Sequence, residues 1–297
     1  MTRRLDDFAP QHPAWRLLLG STPFQVSIAD PRFSFTTYVP RTYREITDPL
    51  PVLVAVHGTG RRVERMRDEL ADFAELHGVV VLAPLFPVGI GGPDDVDNYK
   101  GILFEGIRYD ELLLSMLAQA AKRWRLDTDR VLLAGFSGGG QFAHRFTYLH
   151  PERVRAVSIG APGRVTLPDD APWPHGLGGV VEIFGSSVDL SRIETVPTQV
   201  VVGADDHASE MLAAMAQDPR EAWAGTTRVE RAERLASGLS ACGAPVELTI
   251  VPGAGHDFRA VSGAVTDFFH RVLADADGIR SDSSPTPTSD HSEGERP

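Results

Sequence analysis

Cysteine is almost absent from this chain: Cys242 stands alone among 297 residues. An intrachain disulfide is excluded, so the fold does not depend on an oxidising compartment. Long apolar runs are missing as well. The "LLL" at 17–19 is too short for a signal-peptide core, and nothing approaches membrane-spanning length. A cytoplasmic protein without a membrane partner is expected. No CxxC or HExxH spacing occurs, so no metal site is expected. Positive charge is in deficit. Twenty-nine basic residues against 40 acidic ones give a formal charge of −11, which argues against nucleic acid as a partner. Apolar periodicity is lacking in the Ser/Pro/Asp-rich stretch 276–297, expected to be a disordered tail. No internal repeat is visible.

What is present suits one α/β domain over residues 1–275, since 42% of the residues are hydrophobic. "RFSFTTYVP" (32–40) alternates like a half-buried antiparallel strand. "LPVLVAVHG" (50–58) is almost continuously apolar, as a strand buried on both faces would be. "GVVVLAP", "RVLLAGF", "VRAVSIG", "TQVVVGA" and "VELTIVP" are similar. Helical patterns lie between them, near 61–77, 107–125, 139–149, 228–241 and 260–274. This alternation predicts a mainly parallel central sheet flanked by helices. Ligands of such sheets bind outside the C-terminal strand ends. Two long stretches, 85–105 and 161–197, break the alternation. Loops of that length are commonly functional, and 161–197 is expected to be a short lid-like insertion.

The densest local signal is "AGFSGGGQ" at 134–141. It contains G-x-S-x-G, at Gly135, Ser137 and Gly139, between an apolar run and a helical pattern. A phosphate loop is disfavoured, because no lysine follows. The context fits a sharp strand-to-helix turn that presents Ser137 as a nucleophile. A serine hydroxyl needs a base, and the base an orienting acid, in the chain order Ser, Asp/Glu, His. His256 follows the last strand in "VPGAGHDF" and is the expected base. His207 is poorly placed, His270 falls inside a helix, and His291 lies in the tail. Asp205 and Asp206 both follow "TQVVVG" and compete for the role of acid. An oxyanion needs backbone N–H donors. Gly138 should supply one and the "HGTG" loop the other, through Thr59 or Gly60. His57 is expected to pin that loop rather than act as a base.

"LPVLVAVHGTG", "RVLLAGFSGGG", "LHPERVRAVSIGAPG", "VPTQVVVGADD" and "VPGAGHDF" together resemble the α/β-hydrolase superfamily over about residues 32–275. "FTTYVPRTYREITDPLPVLVAVHGTG" is similar to its esterase and polyester-depolymerase-like branch, feruloyl-esterase-like relatives included. The resemblance implies Asp206 as the acid, three residues past Gly203. It implies a lid position between the sixth and seventh strands, here 161–197. Secreted depolymerases of that branch usually carry export signals and disulfides, neither of which is visible in this sequence, so a small-molecule ester is expected rather than a polymer. Phe86, Val88, Ile90, Trp173 and Leu177 follow strand ends and are expected to shape an apolar substrate pocket, with Met211, Met215 and Trp223 beyond the acid. Arg164 and the acidic run "GGPDDVDN" are the charged alternatives for substrate recognition.

The expectation is a serine hydrolase that cleaves a carboxylic ester through an acyl-enzyme, without a cofactor. Thioester, amide or acyl-transfer chemistry on the same residues is the alternative, as is a catalytically silent binding module. The sequence does not define an oligomeric state.

Overall fold

The run at 50–56 is apolar because it lies in the middle of a sheet. Leu50 and Val52 through Val56 are all buried. In a computed structural model of the chain, which describes residues 3–207, Leu212, Gln217, Glu221 and 223–282, this run is strand β4. It follows β1 (Gly20–Ser21), β2 (Gln25–Val26) and β3 (Ser34–Val39). After it come β5 (Val80–Leu85), the hairpin β6 (Leu103–Phe104) and β7 (Ile107–Arg108), then β8 (Leu126–Phe136), β9 (Val154–Gly160), β10 (Thr198–Gly203) and β11 (Val246–Val251). The main sheet runs β1-β3-β5-β4-β8-β9-β10-β11, with β2 paired to β3. From β5 to β11 every pairing is parallel, and only the β1–β3 margin is antiparallel. The expected mainly parallel sheet is what the chain forms.

Helices cover the sheet. They include α1 (Ala14–Leu17), α2 (Val63–Asp68), α3 (Ala71–His77), α4 (Tyr109–Ala121), α5 (Gly138–Leu149), α6 (Val180–Phe184), α7 (Leu190–Ile193), α8 (Arg228–Ala241) and α9 (Phe258–Asp282). In α4, Tyr109, Leu112, Leu113, Met116, Leu117 and Ala120 recur at helical spacing and are buried. The single helix expected over 61–77 is two, because Leu70 leaves helical geometry at φ −102°, ψ 4°. Helix α9 continues to Asp282, past the domain boundary expected at 275. Residues 283–297, the rest of the expected tail, lie outside the described residues. No helix among the described residues is long and apolar enough to cross a membrane.

Register brings the chemistry-bearing strand ends together. Val56 of β4 pairs with Gly135 of β8, and Gly135 with Ile159 of β9. The chain therefore leaves β4 and β8 side by side, at His57 and at Ser137. On the far side, Gly203 of β10 pairs with Val251 of β11, so Asp206 and His256 emerge as neighbours.

Candidate active site

Ser137 sits between β8 and α5 at φ 59°, ψ −113°. Positive φ is strained for a residue with a Cβ, and such strain persists only where the surroundings over-determine it. Here they do. A Cβ on Gly135 would lie 2.1 Å from the Gly139 carbonyl oxygen, and one on Gly139 would lie 1.9 Å from the Val56 carbonyl oxygen. Strand and helix approach too closely at this turn for any side chain at either position. Glycine two residues either side of Ser137 is thus a packing requirement.

Ser137 and His256 line one cavity of about 400 Å³, with His57, Gly58, Thr59, Gly60, Met66, Phe136 and Phe258 among its walls. His256 Nδ1 lies 2.6 Å from Asp206 Oδ2. Its ring packs on Phe136, with centroids 4.9 Å apart. Asp206 is buried, whereas Asp205 is exposed. Of the two adjacent carboxylates, Asp206 is the one in contact with the imidazole. The second oxygen of Asp206 accepts from Arg228 Nη1 at 3.2 Å.

Thr59 and Gly138 come together across the β4 and β8 ends. The Thr59 nitrogen lies 3.3 Å from where a Cβ on Gly138 would stand. Gly138 is the first residue of α5, so its N–H has no intrahelical acceptor. His57 holds the Thr59 loop from beneath. Its Nδ1 lies 2.8 Å from the Gly58 carbonyl oxygen, and its Nε2 accepts from the Phe86 N–H at 3.1 Å. Burial lowers its pKa to about 3, so the ring is neutral and each nitrogen has one fixed role, as expected for a structural histidine.

The pocket residues anticipated from strand ends are placed elsewhere. Phe86 is fully buried in an aromatic cluster with Phe33, Tyr99, Tyr109 and Phe142. Its backbone serves His57, but its side chain is core. Trp173 packs edge-on against Phe184 and donates Nε1–H to the Gly101 carbonyl at 3.2 Å. Leu177 is partly buried against the core. None of the three lines the cavity, whose apolar walls come from Met66, Phe136 and Phe258. Trp223 packs against the core, and Met211 and Met215 lie outside the described residues. Arg164 is paired with Asp97 at 3.0 Å and Glu221 at 3.1 Å, which accounts for its charge.

Several functional neighbours carry little sequence signal. Tyr99 donates its hydroxyl to the His57 carbonyl at 2.8 Å. Tyr99 and Lys100 together close the space beside Gly138, where a Cβ would meet Tyr99 Oη at 2.5 Å and Lys100 Cε at 2.8 Å. Both belong to the irregular 85–105 stretch, and no periodicity points to them. Arg145 is fully buried on α5. It donates to Thr166 Oγ1 at 2.8 Å, to the Lys100 carbonyl at 2.7 Å and to the Pro174 carbonyl at 3.2 Å. His144 accepts from the Thr166 N–H at 3.0 Å. Both long loops are thereby tied to the helix that follows Ser137. No residue of 161–197 lines the cavity. Arg228 did carry a readable oddity, a cation at the first position of a helix, against the dipole.

No protein-family model and no curated sequence matches the chain. Solved structures do. The poly(aspartic acid) hydrolase-1 of Sphingomonas sp. KT-1 superposes with a TM-score of 0.69 at 22% identity, over 84% of this chain and 97% of that one. The poly(3-hydroxybutyrate) depolymerase of Bordetella parapertussis gives 0.65 at 26% identity, over 80% and 83%. A fluorophosphonate-binding serine hydrolase of Staphylococcus aureus gives 0.57 at 14% identity, over 86% and 99%. The sheet and its flanking helices are those of the α/β-hydrolase fold.

Proposed function

We propose that this chain, an α/β hydrolase by fold, is a serine hydrolase that cleaves carboxylic esters. The observation that carries the reading is the strained Ser137 in one cavity with His256, whose far nitrogen lies 2.6 Å from Asp206. Ser137 Oγ attacks the ester carbonyl and His256 takes its proton, forming a tetrahedral intermediate. The Thr59 and Gly138 N–H groups stabilise its oxyanion. Collapse expels the alcohol, which leaves with the proton from His256. Water then attacks the acyl-enzyme with His256 again as base, and Ser137 recovers its proton as the acid departs. Asp206 fixes the imidazole tautomer and stabilises the imidazolium at each stage. Likeness to esterases and depolymerases supports the hydrolase class. The ester itself is inferred from the site.

The test is hydrolysis of p-nitrophenyl esters from acetate to laurate, beside labelling with a fluorophosphonate probe. The expected result is turnover and labelling, both abolished in Ser137→Ala. Labelling without turnover on any ester would move the substrate to a thioester or amide. Folded protein that resists the probe would overturn the enzyme reading in favour of a binding module.

A further inference from the structure

Besides its apolar walls, the cavity at Ser137 is lined by three arginines, Arg62, Arg65 and Arg228. Arg65 is matched by both oxygens of Asp257, each at 2.9 Å. The other two are less fully matched. Arg62 has no side-chain partner among the described residues. Its Cγ and Nε lie 3.9 Å from where a Cβ on Gly60 would stand, so it folds along the loop that carries Thr59. Arg228 is 3% exposed. Among the described residues its side chain makes one hydrogen bond, from Nη1 to Asp206 at 3.2 Å, and its buried Nε has no acceptor.

Arg228 occupies an unfavourable place. It is the first residue of α8, where the helix dipole repels a cation. Burial removes its hydration, and an orphaned donor adds a desolvation cost. One bond to Asp206 does not offset all of this. The chain carries −11 overall, so an arginine-lined cavity is a local reversal of sign. Guanidinium groups aimed into a cavity match planar, doubly accepting anions.

We propose that the substrate is an ester bearing a second, free carboxylate, held by Arg62 and Arg228 while Ser137 attacks the ester carbonyl. This rests on the serine-hydrolase reading and narrows it from esters in general to anionic ones. Met66, Phe136 and Phe258 then contact the aliphatic or aromatic spacer between the two groups.

The experiment compares matched pairs. Mono-p-nitrophenyl adipate against its methyl ester places the carboxylate on the acyl side. 4-Acetoxybenzoate against methyl 4-acetoxybenzoate places it on the alcohol side. Background is taken from Ser137→Ala. The expected result is that in one pair the free acid exceeds its neutral partner by about tenfold or more in kcat/KM, the scale of one charge-assisted hydrogen bond. The preference should appear mainly in KM, shrink with added salt, and fall toward unity in Arg62→Gln. Because the readout is a ratio within one variant, partial misfolding does not mimic it. Arg228→Gln is the second variant, read the same way. Turnover of neutral esters without preference in either pair, or a preference that survives both substitutions, overturns this proposal and leaves the esterase reading intact. Absence of turnover together with resistance to the fluorophosphonate probe overturns both.

Discussion

At Gly139 a single methyl group is enough to test the geometry of the turn. A Cβ there would lie 1.9 Å from the Val56 carbonyl oxygen, a backbone atom of the central sheet that has no room to yield. Gly139→Ala is expected to cost roughly 3 kcal/mol or more, or to prevent folding, whereas Gly263→Ala on the open face of α9, with nothing within 4 Å, should be neutral or stabilising. Urea unfolding of both variants checks this. Asp206 gives the second residue-scale prediction. Asp206→Asn should lower kcat by roughly 10⁴-fold by permitting the wrong His256 tautomer. It should also destabilise the protein, because it leaves buried Arg228 facing a neutral amide at a 3.2 Å contact. Unfolding and kinetics on the same preparation separate the two effects.

At the scale of elements, α8 is set by its start. Thr227 accepts from the Glu230 N–H, and the Glu230 side chain returns to the Thr227 N–H, a complete capping box. Thr227→Ala should cost about 1 kcal/mol, and because Arg228 is the next residue, it should also lower activity more than that loss of stability implies. Parallel strands and their helices were legible in the sequence, because burial on both faces writes continuous apolar runs such as 50–56 and 198–203. Ser137, His256 and the Thr59 loop were legible for the same reason: each follows such a run directly, and topology sends all the run ends to one edge. The choice of Asp206 over Asp205 came from resemblance and from residue alternation at the strand end, and Asp206 is the carboxylate that lies 2.6 Å from His256. The pocket walls were not legible. Phe86 also follows a strand, but its side chain turns into the core. Met66 and Arg228 reach the cavity from helices at sequence distances of 71 and 91 residues from Ser137, and only tertiary packing brings them there.

On the scale of the whole molecule, acid sensitivity is built in. Burial lowers both His57 and His144 from 6.5 to about 3. Their contribution to stability is complete above pH 6.5, where folded and unfolded chains both carry neutral rings. Below that, the unfolded chain binds two protons that the folded chain refuses, down to about pH 3. Stability should therefore fall with acid from pH 6.5, at a slope approaching about 2.7 kcal/mol per pH unit for two such groups. Urea midpoints at pH 7.5, 6.5 and 5.5 measure it, and a flat profile would contradict neutral burial of these rings.

Arg145 has a consequence for how the molecule meets insoluble substrates. Its three bonds fasten the 161–197 insertion and the 98–101 turn to α5, and the Thr166 N–H is fastened again by His144. A segment fastened in this way, with none of its residues lining the cavity, is not expected to act as a lid that swings aside at an oil–water boundary. Rates on a sparingly soluble ester such as tributyrin should therefore rise smoothly with dissolved monomer and level off at saturation. The abrupt jump on emulsification that marks a surface-triggered lipase should not occur. On the proposed reading, this build would suit substrate molecules that arrive one at a time in water.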